Sequence, residues 1–158
     1  MKSELGDSMM RSLDPNFSVV VPFYNESENV RFVLEELRQV LPNAEIIAVD
    51  DGSNDQTWEK IQAMDNVHGL RLTRNCGQSA AIYHGLRACT RTICGMMDGD
   101  GQNDPVNFVL LLKEFHAGQA DLVCGYRETR NDSWDRKAAS RIANAIRRFF
   151  LNDGVRDT

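Results

Sequence analysis

The chain has 158 residues, 42% of them apolar and 26% charged, with a formal net charge of −5; this is an ordinary composition for one globular domain. No run of about 18 apolar residues occurs, which excludes a recognisable membrane-spanning helix. The acidic balance excludes nucleic acid as a bulk partner, because binding a phosphate backbone calls for a basic face.

Residues 1–16 mix charges with Gly, Ser and Pro and contain no apolar core of a signal peptide, so they are read as a mobile lead-in. Phe17-Ser18-Val19-Val20-Val21-Pro22 is β-branched and almost continuously apolar, the pattern of a central strand covered on both faces. A helix follows, with Asn25 and Glu28 at capping-box spacing and Val30, Val33, Leu34, Leu37 and Leu41 on one face. Glu45 to Val49 is a second strand, running into Asp50-Asp51-Gly52-Ser53. Ser53 and Gln56 again have capping-box spacing, before a helix over Thr57–Met64. Leu70-Arg71-Leu72 is a short third strand, followed by the turn Arg74-Asn75-Cys76-Gly77 and a small-residue helix over Gln78–Ala88.

Thr92–Met97 is a fourth strand that stops at Asp98-Gly99-Asp100-Gly101-Gln102. The next helix has Asp104 as its cap, Pro105 at its first position and Gly118 past its end. Asp121–Tyr126 reads as a fifth strand, and Trp134–Leu151 as an amphipathic helix. Four repeats of strand, polar turn and helix predict an α/β fold with a mainly parallel sheet and helices on both faces. In such sheets ligands bind beyond the carboxyl ends of the strands. Tyr24-Asn25-Glu26, Asp50-Asp51, Arg74-Asn75 and the Asp98/Asp100 pair all fall there.

Two aspartates one residue apart repel each other unless a cation sits between them. Counted as a calcium loop from Asp98, the segment puts Asn103 where a glycine is required and Val109 where a bidentate glutamate is required, so that reading fails. A solvated turn with no ligand is the plain alternative, since turns select Asp, Gly and Asn. The strand-end position and the second pair at Asp50-Asp51 favour a divalent metal, Mg²⁺ or Mn²⁺. No G-x-G-x-x-G follows the first strand and no G-x-x-x-x-G-K-[ST] occurs, against a dinucleotide dehydrogenase and a P-loop NTPase. A nucleotide-sugar fits what remains: Asp50 can accept hydrogen bonds from base or ribose, and metal at Asp98/Asp100 can neutralise a diphosphate.

Four cysteines, Cys76, Cys89, Cys94 and Cys124, have no metal-ligand spacing and are read as buried free thiols in a reducing cytosol. From Arg127 to Arg148 seven basic residues face three acidic ones, which suits an anionic ligand or membrane surface.

Val20-Val21-Pro22-Phe23-Tyr24-Asn25-Glu26, Asp50-Asp51-Gly52-Ser53, Arg74-Asn75-Cys76-Gly77-Gln78, Asp98-Gly99-Asp100-Gly101-Gln102 and Gly125-Tyr126-Arg127 together resemble the ordered motifs of family 2 glycosyltransferases of the GT-A, Rossmann-like fold. Arg136 with Ser140, and the tail Asp153-Gly154-Val155-Arg156-Asp157-Thr158, resemble the branch that makes polyprenyl-phosphate sugars. The resemblance implies a catalytic domain over 17–158, truncated at its C-terminus, that moves a sugar from a UDP- or GDP-linked donor to a polyprenyl phosphate with inversion. It implies that Pro22, Tyr24, Glu26 and Asp50 border the nucleoside, that Asp98, Asp100 and Gln102 surround metal and diphosphate, and that Arg127, Arg136 and Ser140 meet the acceptor phosphate. Asp100 and Arg127 are the expected catalytic pair. The expected location is the cytoplasm, at the cytoplasmic face of a membrane in the full-length protein. A transferase acting on a polysaccharide or other soluble acceptor, and a non-catalytic nucleotide-binding module, are the alternatives.

Overall fold

The structure, a computed structural model, describes residues 15–118 and 120–125. The chain divides into two units, Met1–Val123 and Cys124–Thr158, and every element named below belongs to the first. Most of the lead-in, the helix expected over Trp134–Leu151, and Arg127, Arg136 and Ser140 lie outside the described residues.

Strand β1 (Phe17–Phe23) is buried along its length except at Pro22. Its alternate side chains feed two cores. Val19, Val21 and Phe23 join one, and Val20 joins the other. Strand β2 (Glu45–Asp50) divides in the same way, with Ile46 and Ala48 on the first face and Ile47 and Val49 on the second. This two-sided burial is why both segments read as unbroken apolar runs. Strand β3 (Val67–Arg71) is less buried and contains His68 and Gly69, residues weak in strand propensity. The sequence signal there covered only its carboxyl end. Strand β4 is Ile93–Met96.

All the pairings are parallel and the sheet order is β3-β2-β1-β4. Helix α1 (Val30–Val40) buries Val30, Val33, Leu34 and Leu37 of the stripe expected from the sequence, together with Val40, and the expected Leu41 is buried just past its end. It shares the first core with Ile61 of α2 (Thr57–Gln62) and with Phe108 and Leu112 of α4 (Asn107–Ala117). Helix α3 (Gln78–Ala88) covers the opposite face through Ala81. The chain therefore travels outward from β1 to β3 with helices on one face, then returns over the other face to place β4 against β1. Right-handed crossovers produce this layout when a chain reverses direction.

Three expectations are corrected. Asp121–Gly125 forms no strand among the described residues; Leu122 is 75% exposed, and an apolar run becomes a strand only where a neighbour supplies its hydrogen bonds. Neither capping box forms, because α1 and α2 start at Val30 and Thr57 without side-chain caps. The predicted caps bond across loops instead: the Asn25 N–H donates to Ser53 Oγ at 2.9 Å, and the Asn54 N–H donates to Asn25 Oδ1 at 2.9 Å. Finally, the cysteines are free, but Cys76, Cys94 and Cys124 are exposed and Cys89 is half-buried. Three of them sit on turns or the thinly covered β4 edge rather than in either core.

Candidate active site

The order β3-β2-β1-β4 puts the reversal of the sheet between β1 and β4. The carboxyl ends of β1 and β4 lie side by side there, the place beyond which such sheets bind their ligands. The strand ends stay linked into one floor, since the Met97 N–H donates to the Val20 carbonyl at 3.1 Å and the Asp51 N–H to the Phe23 carbonyl at 2.9 Å. Above this floor opens a cleft of about 350 Å³, within the range of small-molecule and cofactor sites. The end of β1 contributes Pro22, Phe23, Tyr24 and Glu26 to it. Asp51, Asn75, Gly77 and Gln78 form its second wall, and Asp98, Gly99 and Asp100 its third.

The Tyr24–Glu26 wall is held by a seam between loops. The Glu26 N–H donates to Thr57 Oγ1 at 2.9 Å, the Ser27 N–H to Asp55 Oδ2 at 3.1 Å, and Lys60 Nζ to the Ser27 carbonyl at 2.8 Å. Burial raises the Asp55 carboxyl, but hydrogen bonds from Thr57 and Ser27 outweigh it and hold the group down at about 2. Asn25 takes a left-handed conformation at φ 53°, one that Asn tolerates better than most residues. Glu26 itself is steadied by Asn29 Nδ2 at 2.6 Å from its Oε2.

The second wall depends on Asp51, which is 2% exposed. Its two oxygens accept the Cys76 and Gly77 N–H groups, each at 2.8 Å. The amino end of α3 is thereby tied to the end of β2. Asp50 serves a different purpose. It is 0% exposed, its Oδ1 accepts the Ser53 N–H at 2.9 Å, and its Oδ2 lies 3.1 Å from Arg71 Nε. That last contact is close enough for an ion pair but is not aligned as a hydrogen bond, so Oδ2 is buried without a directed partner.

On the third wall, Asp98 Oδ1 accepts from Gln78 Nε2 at 2.6 Å, and Asp100 Oδ1 accepts the Gln102 N–H at 2.9 Å. Gly99 makes the tight turn possible, since a Cβ there would stand 2.5 Å from Phe23 Cδ1 and 2.7 Å from the Pro22 carbonyl oxygen.

Of the residues expected from the sequence, the structure brings Pro22, Tyr24, Glu26, Asp98 and Asp100 to one cleft. Asp50 is not among the lining residues. Gln102 meets Asp100 through its backbone while its side chain is exposed. Asp51 and Gln78 have site roles that the sequence reading did not give them, although both stand in segments it singled out. Among the described residues no cluster of three or more His, Cys, Asp or Glu is placed to hold a metal. Asp98 and Asp100 each have one carboxylate oxygen already accepting one hydrogen bond. That pair fits a hard divalent cation that takes its remaining ligands from phosphate and water.

A parallel α/β sheet with an acidic cleft beyond the carboxyl ends of its strands is an architecture of the Rossmann-like, GT-A type. The sequence model of glycosyl transferase family 2 matches residues 18–158, and the chain belongs to that family. It is 38% identical over 138 residues to the undecaprenyl-phosphate 4-deoxy-4-formamido-L-arabinose transferase of Serratia proteamaculans, covering 82% of this chain and 42% of the relative. It is 34% identical over 152 residues to the polyprenol monophosphomannose synthase of Mycolicibacterium smegmatis, covering 88% and 57%. The chain thus spans about half the length of these curated relatives. Their names describe the polyprenyl-phosphate branch that the motifs resemble. In fold it matches glucosyl-3-phosphoglycerate synthase from Mycobacterium tuberculosis, solved with Mn²⁺, uridine diphosphate and glucosyl-3-phosphoglycerate, with a TM-score of 0.58 and 20% identity over 72% of this chain and 43% of that one.

Proposed function

We propose that this chain carries the donor site of a metal-dependent, inverting glycosyltransferase that moves a hexose or related sugar from a UDP- or GDP-linked donor to a polyprenyl phosphate. The observation that carries the reading is the grouping of Tyr24 and Glu26 with Asp98 and Asp100 around one cleft at the sheet reversal. Tyr24, 42% exposed, offers a ring face to a base, and Glu26 offers acceptor oxygens to base N–H or ribose hydroxyl groups. Pro22, also on the lining, offers no N–H donor to a ligand. Asp50, which the resemblance gives to the nucleoside, contributes through the Ser53 loop that it anchors.

Asp98 and Asp100 would hold Mg²⁺ or Mn²⁺, with Gln102 fixing Asp100 through its N–H. When bound, the cation neutralises charge building on the departing diphosphate. The acceptor assignment draws on the names of the curated relatives and on the basic residues after Tyr126. Arg127 and Arg136, with Ser140, would orient the acceptor phosphate, since guanidinium matches phosphate oxygens in a two-pronged contact. A phosphate monoester has a second pKa of about 6, so it needs no strong base to attack. Its oxygen bonds to the anomeric carbon from the side opposite the diphosphate as the carbon–diphosphate bond breaks, which inverts the configuration. The lipid acceptor puts the reaction at a membrane surface, on the cytoplasmic side; among the described residues no helix is long and apolar enough to cross a membrane.

The test is sugar transfer by the full-length protein from UDP- and GDP-linked donors to undecaprenyl phosphate and, in parallel, to soluble sugars, with Mn²⁺ or with EDTA. Metal-dependent labelling of the lipid, with an inverted anomer by NMR, is expected. Labelling confined to soluble acceptors, or unaffected by EDTA, overturns the reading.

A further inference from the structure

We infer that Gln78 is a positioning residue, whose side-chain amide presents the Asp98 carboxylate to the cation in a fixed orientation. This rests on the metal site proposed above. The two side chains come from different elements, the first residue of α3 and the turn after β4, and meet across the cleft with Gln78 Nε2 2.6 Å from Asp98 Oδ1. An ionised carboxylate only accepts hydrogen bonds, so the amide must present its NH₂ group and not its oxygen.

The backbone that carries Gln78 is itself held. Asp51, almost fully buried at the end of β2, takes the N–H groups of Cys76 and Gly77, the two residues immediately before it. A rigid path therefore runs from the end of β2, through the amino end of α3, to the carboxylate beyond β4. Both Gln78 and Asp98 are exposed, and a hydrogen bond open to water adds little to fold stability. The contact consequently makes poor sense as a brace for the fold and good sense as a brace for a ligand atom. Without it, an exposed aspartate samples several rotamers and must give up that freedom when the cation binds. Hydrogen bonds to ligating carboxylates from a second layer of residues typically matter by about 10–100-fold in metal affinity.

Gln78→Leu removes the donor at similar volume, and Gln78→Ala removes it without adding apolar surface. Mn²⁺ affinity is read from the electron paramagnetic resonance signal of free Mn²⁺ in saturating UDP, and again in GDP. Calorimetry in EDTA gives metal-free nucleotide affinity, and circular dichroism gives the melting temperature. The expected result for both variants is Mn²⁺ affinity about 10–100-fold weaker, with metal-free UDP and GDP affinity and the melting temperature unchanged. Equal losses of metal-free nucleotide affinity would make Gln78 a direct ligand contact and overturn the inference. Asp98→Asn separates the two layers of the argument. If it abolishes Mn²⁺ binding while the Gln78 variants bind normally, the positioning role alone falls; if Asp98→Asn binds Mn²⁺ normally, the metal site falls with it.

Discussion

Gly52, in the turn after β2, tests whether the walls of the cleft are set by backbone contact. Its φ is +70°, and a Cβ placed on it would stand 2.3 Å from the Arg74 carbonyl carbon, 2.6 Å from Arg74 Cα and 2.6 Å from the Asn75 nitrogen. All three are main-chain atoms of the segment that leads into Gly77 and Gln78, so no side-chain rotation relieves the overlap. Gly52→Ala therefore carries two costs. The left-handed conformation costs a residue with a Cβ roughly 1–2 kcal/mol, and forcing an added methyl into filled space costs about 1–3 kcal/mol. Gly101→Ala isolates the first, because Gly101 has nearly the same φ, +73°, but a Cβ there meets nothing closer than 3.7 Å. Both substitutions restrict the unfolded chain alike, and that contribution cancels in the comparison. Urea unfolding followed by circular dichroism should show Gly52→Ala losing about 1–3 kcal/mol more than Gly101→Ala. It should also weaken nucleotide binding, because the Arg74–Gln78 segment must shift. Equal losses from the two substitutions would refute the reasoning, since the close approach would then be soft enough to yield at no cost.

Asp100→Ala should abolish transfer in the full-length protein while leaving the melting temperature within a degree or two, because Asp100 sits at the rim; an active variant removes it from the mechanism. Asp55→Ala strips acceptors from Thr57 and Ser27 and should cost about 1–3 kcal/mol in urea titrations. The pH dependence follows with a definite sign. The Asp55 carboxyl is lower in the folded state, at about 2, than its ordinary value of 3.8, so its stabilisation is full above about 4 and disappears as pH falls towards 2; acid titration of Asp55→Ala should lack that component. Leu34→Ala, at a fully buried position of α1, should cost about 2–5 kcal/mol in the same measurement. With a thiol reagent at neutral pH, Cys76, Cys94 and Cys124 should react quickly, whereas burial and the neighbouring Cys94 thiol push Cys89 up to about 12 and should make it slow.

The parts of the fold governed by periodicity were legible in the sequence. β1, β2, α1 and α3 are long enough for a face to repeat, and their positions follow from the apolar pattern alone. Neighbouring loops were not legible. Asn25, Glu28, Ser53 and Gln56 have the spacing of helix caps, yet Asn25 and Ser53 bond each other's loop, a choice made by the parallel register that brings Phe23 beside Asp50. The same limit affects the site. Adjacent aspartates at a strand's end look equivalent in sequence, but successive residues of an extended chain point to opposite sides. One of the two, Asp50, turns inward to Ser53 and Arg71; the other, Asp51, reaches the cleft wall.

That division bears on where a cation can sit. Asp51 satisfies two backbone N–H groups, one with each oxygen. Asp50 is buried beside Arg71. Asp55 accepts from Thr57 and Ser27 with both oxygens. These three carboxylates are committed to holding loops, and removing their donors to admit a metal would expose the loops they pin. Asp98 and Asp100 each accept one hydrogen bond through a single oxygen, and neither stands beside a cationic side chain in any ion pair among the described residues. Their two carboxylates share one wall of the cleft, and a divalent cation there would draw on oxygens that no loop depends on.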